Sequence, residues 1–478
     1  MASHEAGALH APGYGGIATV PAWLRPPSDP NELLPTLWSG SVRRTADGVV
    51  EVGGLDVAEI ARRFGTPAYV LDEADFRGRA VAFRDAFAAA FADLGGADVY
   101  YAGKAFLCTA VARWVAADGL GLDVCSGGEL AVALRAGVPV ERIALHGNNK
   151  SDDELSRALD ADGAGIGRIV VDNLEEIDRI ADLAAARGRR APVMLRVTVG
   201  VEAHTHEYIA TAHEDQKFGL SIAGGMAAEA VRRVLARPEL ELLGLHSHIG
   251  SQIFDTGGFE VAARRVLALH AAVAREHDVR MPELDLGGGF GIAYTSEHDP
   301  LSPADLAAGL AEIVRRECAA LGMDVPRVSV EPGRAIAGPS TFTLYGVGST
   351  KDVLLDHGLT RRYVAVDGGM SDNIRTALYD ADYSCTLASR ASSTPPVLAR
   401  VVGKHCESGD VVVRDEFLPG DVQRGDLLAV PGTGAYCRSM ASQYNHVPRP
   451  PVVAVRDGEA RVVVRRETED DLLALDLD

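Results

Sequence analysis

A regular alternation of short apolar runs with amphipathic stretches constrains the fold of this chain more than any other feature. Each apolar run is typical of a strand, and each is followed by an Ala-, Leu- and Arg-rich stretch with helical periodicity. The runs occupy residues 98–105, 121–125, 142–147, 168–172, 193–200, 242–250, 283–290 and 327–334. Eight strand–helix units in succession predict an α/β fold of the (β/α)8 TIM-type barrel class. An open doubly wound sheet is the competing fold, but it usually contains fewer strands.

The pattern changes after residue 340, where β-rich segments are separated by turn residues instead of helices. These segments are 341–348, 361–369, 397–404, 409–415, 426–432, 451–458 and 460–467. They predict a second, mostly antiparallel β domain. A hairpin-like stretch at 36–55 and a short strand at 67–71 precede the barrel without helical partners, so we expect them to join this β domain.

Four segments follow from these patterns. Residues 1–35 are rich in Gly, Pro and Ala and predict a flexible N-terminal extension. Residues 36–71 hold the N-terminal strands, 72–338 the barrel, and 339–478 the C-terminal β domain. A chain of 478 residues is too long for one ordinary core, which agrees with two domains.

The composition argues against several classes of protein. The formal net charge of −20 would repel nucleic acid and anionic membranes over most of the surface. No apolar run reaches the roughly 20 residues that a membrane span needs. The first residues lack the basic and apolar regions of a signal peptide. The six cysteines are scattered without a CxxC pair, so we expect a reducing cytoplasm rather than a disulfide framework or zinc ribbon.

Polar or glycine-rich residues follow nearly every predicted barrel strand. The C-terminal ends of barrel strands meet on one face, where the active sites of such barrels lie, so we expect these residues to line one site. They are Lys104, Asp123, His146, Asn148, Asp172, Arg196, His248, Ser251, Gly287, Gly288, Gly289, Glu331 and Arg334.

Lys104 follows the apolar strand "VYYAG", in which a charged ammonium group has no easy place. One interpretation is a lysine whose stem lies along the barrel wall and whose charge reaches solvent. The other is a desolvated amine that acts as a nucleophile and forms a Schiff base.

Two further motifs have both a structural and a functional interpretation. "DLGGGFG" (285–291) is either a tight turn or a set of backbone N–H groups that hold a phosphate, with Ser251 adding a hydroxyl. "EPGR" (331–334) is either a local ion pair or two binding groups. In the second case Glu331 would pair with a pyridine nitrogen and Arg334 with a substrate carboxylate.

"HSHIGSQ" (246–252) allows a metal site, because HxH on a strand places two imidazoles on one face. His146 or Asp172 would then have to supply a further ligand. We favour His248 as a flat ring stacked on a planar cofactor. Three more histidines, His204, His206 and His213, lie in a polar segment that is typical of a solvated loop.

Ten motifs, taken together and in this order, resemble those of the fold-type III decarboxylases that depend on pyridoxal 5'-phosphate (PLP). They are "YYAGKAF", "DVCSGGEL", "LHGNNKS", "HTHEYIATAHEDQKFGL", "HSHIGSQ", "DLGGGFGI", "EPGRAIAGP", "VDGGMSDNIRTALY", "GKHCESGD" and "GAYCRSMASQYN". Within this family the match is close to the branch that converts meso-diaminopimelate into L-lysine. The resemblance implies a barrel with a β domain, bound PLP, and a head-to-tail homodimer with shared active sites.

The resemblance also implies roles for individual residues. Lys104 would carry PLP as a Schiff base, and Cys406, in the predicted surface loop "GKHCESGD" (403–410), would donate a proton. His248 would stack on the ring and Glu331 would pair with its nitrogen. The full implied cofactor site is Lys104, Asp123, His248, Ser251, Gly287, Gly288, Gly289, Glu331, Arg334 and Tyr436. The implied substrate site is Arg334, Arg375, Tyr379, Glu407 and Tyr436.

Other functions remain open at this point. An ornithine- or arginine-type decarboxylase shares the scaffold, but its substrates end in a cation, whereas Arg334 and Arg375 suit a distal carboxylate. An alanine racemase would need a tyrosine base. A PLP carrier without catalysis would not need the Cys–Glu loop, and a metal-dependent hydrolase would need more ligands. The interpretation that we carry forward includes no metal.

Overall fold

A computed structural model describes residues 20–200, 217–355 and 359–477. The chain forms two compact units. The barrel unit consists of Arg77–Gly291 and Pro300–Ile336, and the β unit of Met1–Phe76, Ile292–Asp299 and Ala337–Asp478, in each case within the described residues.

The barrel unit contains a closed ring of eight parallel strands. They are Ala97–Ala102, Gly121–Val124, Ile143–Leu145, Arg168–Val171, Ala191–Thr198, Leu240–His246, Glu283–Asp285 and Arg327–Val330. Each strand pairs in parallel with the next, and the ring closes where Val328 lies opposite Ala97. The predicted barrel is therefore confirmed, with all eight strands near their predicted positions. A further short strand, Leu220–Ser221, pairs with the fifth.

Helices separate the barrel strands, and four of them begin with a capping residue that satisfies free backbone N–H groups. Ser151 and Glu154 form a reciprocal capping box, while Ser126, Asn173 and Ser302 each accept from a backbone N–H three residues on. The helices are Glu73–Ala90, Thr109–Ala117, Gly127–Ala136, Asp152–Asp160, Leu174–Ala185, Met226–Leu235, Gly257–His277, Pro303–Leu321 and Arg334–Ala337.

The β unit contains a mostly antiparallel sheet, as predicted. Its strands are Ala68–Asp72, Thr341–Leu354, Thr360–Val366, Thr386–Leu387, Pro396–Val402, Val411–Pro419, Leu427–Pro431, Val452–Arg456 and Glu459–Val464. A small separate sheet is formed by Arg43–Arg44, Val50–Val52 and Leu55–Asp56, which includes the predicted hairpin. Three short helices complete the unit: Val57–Phe64, Arg375–Tyr379 and Glu469–Leu473.

The N-terminal strands belong to this unit. Ala68–Asp72 pairs antiparallel with Thr341–Leu354 and parallel with Val452–Arg456, which confirms the predicted connection. The segment Ile292–Asp299 also lies in the β unit, where Ala293 packs in the apolar core, although the predicted barrel included it.

The predicted flexible extension, residues 1–35, lies partly outside the described residues. From residue 20 onwards the chain packs: Leu24 is 6% exposed, and Leu33 and Leu34 contact the core of the β unit. Packed structure therefore begins earlier than the predicted boundary.

His204, His206 and His213 lie outside the described residues. Among the helices of the described ranges, none is both long enough and apolar enough to cross a membrane.

Candidate active site

A pocket opens at the C-terminal ends of the barrel strands. Its lining includes the predicted residues Lys104, Asp123, His146, Asn148, Arg196, His248 and Glu331. These residues come from six of the eight strand ends, so barrel closure brings them together as expected. His246, Cys125, Glu129 and Phe218 also line the pocket but were not among the predicted site residues.

Two imidazoles meet one carboxylate inside this pocket. Nε2 of His246 lies 3.0 Å from Oε1 of Glu331, and Nε2 of His146 lies 3.3 Å from the same oxygen. Nε2 of His146 is also 3.4 Å from Oδ1 of Asp123. His146, His246 and Glu331 form a group whose ligand atoms lie within 4.8 Å of one another, as a metal site would require. Asp172, the other metal ligand considered from sequence, instead accepts from the backbone N–H of Gly219 at 3.1 Å.

The surroundings shift the pKa values of the two carboxyl groups of the pocket in opposite directions. Burial favours the neutral form of Glu331, but His246 and His146 outweigh it and hold the pKa of Glu331 well below its usual range. Burial raises the pKa of Asp123 well above its usual range, and the negative charge of Glu331 adds to this. At neutral pH Glu331 is therefore ionised, whereas burial favours the neutral form of Asp123. Environments that separate two carboxyl pKa values in this way are typical of functional sites.

Lys104 and His248 have contrasting surroundings. The side chain of Lys104 is exposed where it lines the pocket, and its role as a Schiff-base nucleophile stays a prediction. Burial lowers the pKa of His248 to about 3, and the charge of Lys104 acts in the same direction. The His248 ring is thus neutral across the physiological range, which suits a ring that stacks on an aromatic surface.

The glycine loop allows close packing of three backbone segments. Gly287 and Gly289 have φ angles of 70° and 104°. A Cβ atom on any of the three glycines would overlap a carbonyl oxygen of a neighbouring loop: that of Ser247 for Gly287, Glu331 for Gly288 and Gly250 for Gly289. Any side chain here would push these loops apart.

The three glycine amides are not equally available. The N–H of Gly287 donates to Oδ1 of Asp285 at 2.7 Å, and that of Gly288 lies 3.4 Å from Nδ1 of His248. The N–H of Gly289 has no hydrogen-bond partner among the described residues. The N–H of Gly287 is therefore already bonded within the protein, and the phosphate site of this loop stays a prediction. Nearby, Nη2 of Arg334 donates to Oγ of Ser251 at 2.8 Å, so these two predicted residues are joined.

The stretch "GKHCESGD" forms the connection between the antiparallel strands Pro396–Val402 and Val411–Pro419, as predicted for a loop of the β domain. Cys406 and Glu407 are exposed on it. Asp410 accepts from the backbone N–H groups of His405 and Met370, at 2.7 and 2.6 Å. Cys406 and Glu407 are therefore exposed on a loop that the hydrogen bonds of Asp410 hold at its base.

The remaining predicted residues of the β unit differ in exposure. Tyr379 is 59% exposed and Tyr436 is half-buried. Arg375 is only 5% exposed: its guanidinium lies 4.6 Å from the centre of the Tyr294 ring and donates to the Tyr383 hydroxyl at 2.5 Å. Arg375 is thus held in place by two aromatic neighbours that the sequence motif did not indicate.

Comparisons with known proteins give the family of the chain. Residues 79–338 match the model described as "Pyridoxal-dependent decarboxylase, pyridoxal binding domain". The chain is 56% identical to diaminopimelate decarboxylase of Mycobacterium tuberculosis, over 94% of this chain and 100% of that protein. For the enzyme of Mycobacterium leprae the identity is 54% over the full length of both. This chain belongs to the diaminopimelate decarboxylase family.

Solved structures of this decarboxylase family share the fold. The crystal structure of diaminopimelate decarboxylase from M. jannaschii in co-complex with L-lysine aligns with a TM-score of 0.85 and 31% identity, over 92% of this chain and 99% of that one. The cofactor of this decarboxylase is PLP, as the family implies.

The residues of the pocket fit this cofactor. Both oxygens of Asp123, Oε1 of Glu331 and Nε2 of His146 are buried without a well-aligned hydrogen bond, so the pocket holds polar groups that a ring nitrogen or hydroxyl can satisfy. The N–H of Gly289, which has no hydrogen-bond partner among the described residues, suits a phosphate oxygen. Of the pocket residues that sequence reasoning missed, His246 had the clearest signal, since it shares its motif with His248.

Proposed function

We propose that this decarboxylase converts meso-2,6-diaminopimelate into L-lysine and CO2, the last step of lysine biosynthesis. The observation that carries the proposal is the 56% identity, over 94% of the chain, to a relative named diaminopimelate decarboxylase. The solved relative from M. jannaschii that binds L-lysine, the product of this reaction, adds support.

The decisive test is product formation by the purified protein. With PLP bound, it should release one CO2 and form one L-lysine per meso-diaminopimelate consumed, with kcat/KM at least about 100-fold above that for ornithine or arginine. Dialysis against a metal chelator should leave the activity within about twofold, although His146, His246 and Glu331 lie close enough to hold an ion. Activity lost to the chelator and restored by a metal would favour a metal-dependent enzyme instead.

The barrel unit supplies the groups for the cofactor. When bound, PLP accepts the electron pair that remains as the substrate carboxylate leaves. Lys104 would hold the cofactor covalently through its amine, and Glu331, being ionised, would pair with the ring nitrogen. His248 presents a neutral ring face, and Asp123 offers a buried carboxyl group to a second polar atom of the cofactor. Ser251, Arg334 and Gly289 hold the phosphate, with Gly287 and Gly288 keeping the loop in shape and Tyr436 adding a hydroxyl.

The β unit supplies the proton. Cys406 protonates the reacting carbon after CO2 has left, because a thiol is a suitable general acid near neutral pH. Its exposure in the described chain supports a role at the surface of a second molecule. We therefore propose a head-to-tail homodimer in which each active site combines the barrel of one chain with the Cys406 loop of the other.

The substrate is recognised by its distal amino-acid group. Arg334 and Arg375 bind the distal carboxylate, Tyr379 and Tyr436 add hydroxyls, and Glu407 pairs with the distal ammonium. These contacts with the distal group orient the scissile bond, so they accelerate the reaction as well as selecting the substrate. A cytoplasmic location is also part of the proposal, supported by six cysteines that are all free.

Replacement of Arg375 by alanine should change substrate preference. A hydrogen bond to a charged group contributes roughly 1.5–3 kcal/mol, so kcat/KM for meso-diaminopimelate should fall at least about tenfold. The ratio of kcat/KM for L-lysine to that for meso-diaminopimelate should rise, because L-lysine lacks the distal carboxylate. Both substrates are to be measured on one preparation, so that any loss of folded protein cancels in the ratio.

The matched control is Tyr383→Phe, which removes the hydroxyl bonded to Arg375 and keeps the guanidinium. Its preference between the two substrates should stay within about threefold of wild type. An unchanged preference in Arg375→Ala would exclude this arginine from the substrate site.

A further inference from the structure

The proposed function uses Glu331 but assigns nothing to the two imidazoles that surround it. His246 ends the sixth barrel strand, Leu240–His246, and is 1% exposed. His146 follows the third strand, Ile143–Leu145. Their rings meet edge to face, with centroids 5.1 Å apart. Burying two imidazoles against one buried carboxylate has a high desolvation cost. Such a group is therefore expected only where the imidazoles stabilise that carboxylate.

The distances show how the imidazoles act on Glu331. Both place Nε2 next to the same oxygen, Oε1, at 3.0 Å for His246 and 3.3 Å for His146. His246 is the closer and the more deeply buried, and in a pocket of low dielectric a polar group at this distance stabilises a negative charge strongly. His146 also reaches Asp123 at 3.4 Å, so it lies between the two carboxyl groups.

We infer that His246 and His146 are positioning residues that hold the carboxylate of Glu331 in place to pair with the ring nitrogen of PLP. The inference rests on the proposed role of Glu331 as partner of that nitrogen. His246 carries most of the effect, because it is nearer to Oε1. His146 contributes less, because it is shared between Glu331 and Asp123.

The behaviour of the two carboxyl groups agrees with this inference. Both are buried, at 7% and 6% exposure, yet the pKa of Glu331 is held well below its usual range whereas that of Asp123 is raised by burial. The contact that distinguishes them is His246, which lies beside Glu331 alone. The charge needed opposite a protonated pyridine nitrogen is therefore maintained by a side chain that touches neither substrate nor cofactor in the proposed mechanism.

The test compares two cofactors that differ at one ring atom. PLP and 1-deaza-PLP, in which a C–H group replaces the ring nitrogen, are titrated into the apo form of the full-length protein, and each dissociation constant is measured. His246→Leu removes the polar group beside Oε1, so the Kd for PLP should rise at least about tenfold. The Kd for 1-deaza-PLP should change by less than about twofold, because Glu331 has no nitrogen to pair with.

Two further variants separate positioning from structural damage. His246→Gln keeps an N–H donor near the position of Nε2 and should restore most of the PLP affinity, while His146→Leu should show the same selectivity for PLP with a smaller loss. His270→Leu is the control: His270 is buried in the same unit, but its Nε2 faces the carbonyl oxygen of Glu283 at 3.0 Å. It should leave the ratio of the two Kd values unchanged.

The results for these variants test the inference separately from the proposed function. Equal weakening of both cofactors, or no weakening of PLP, in His246→Leu and His146→Leu would overturn the inference and leave the proposed function intact. Absence of CO2 release from meso-diaminopimelate by the wild-type protein would instead overturn the proposed function. A selective loss of PLP that glutamine repairs at position 246 would support the positioning role.

Discussion

Replacement of Lys104 by alanine is expected to reduce kcat for meso-diaminopimelate to below about 0.1% of the wild-type value, because the covalent attachment of the cofactor and the exchange with the substrate amine are both lost. Lys104 lies in the pocket at the end of the first barrel strand, next to the neutral ring of His248. The measurement is CO2 release together with the visible absorption band of the bound cofactor, which should change in the variant.

Lys351→Ala is the matched control, since Lys351 is exposed on a strand of the β unit. It should keep both the activity and the absorption band. If Lys104→Ala retained a measurable share of wild-type turnover, another amine would have to hold the cofactor. Lys150 is poorly suited, because its Nζ is buried and bonded to Glu176 at 3.0 Å and to the carbonyl oxygen of Val170 at 2.6 Å.

Mixing two inactive variants, Lys104→Ala and Cys406→Ala, is expected to restore activity if each site is built from two chains. When subunits exchange at random, half of the dimers carry one chain of each kind, and one of their two sites has both Lys104 and Cys406 intact. About a quarter of the wild-type activity should therefore return. Cys406→Ala alone should still bind the cofactor, because the thiol acts on the substrate carbon and not on PLP.

The control for this experiment mixes Cys406→Ala with the double variant that carries both substitutions. Every site in that mixture lacks Cys406, so no activity should return. Subunit exchange must be demonstrated separately, by mass spectrometry of labelled chains. Exchange without recovery in the first mixture would show that Cys406 acts within its own chain or has no part in the reaction.

Most of the fold was predictable from local patterns. The eight barrel strands were visible because each is a short apolar run followed by a helical stretch, and parallel strands covered on both faces need such runs. The end of the flexible extension was not predictable in the same way. Leu24, Leu33 and Leu34 lie in a Gly- and Pro-rich segment without periodicity. Only the burial of Leu24, and the contacts of Leu33 and Leu34 with the core of the β unit, show that they are packed.

The candidate site was predictable in its members but not in its contacts. Lys104, His248 and Glu331 follow barrel strands, and closure of a barrel places all such residues on one face. The exposure of Lys104, the use of the Gly287 N–H by Asp285 and the burial of Arg375 against Tyr294 depend on side-chain positions that motif spacing does not contain. The neighbours of Arg375 come from segments of the chain that no motif connected.

The sequence by itself determined the order of the strands, the change to a β domain after residue 340 and the residue types at the strand ends, because these depend on periodicity and on residues near one another in the chain. Only the tertiary structure decided which of those residues touch. Asp123, His146, His246 and Glu331 belong to four different strand ends, and the closing of the barrel brings them within 3.0 to 3.4 Å of a neighbour. At such distances burial and charge shift the pKa values of the two carboxyl groups in opposite directions, a difference that neither residue carries in its own sequence neighbourhood.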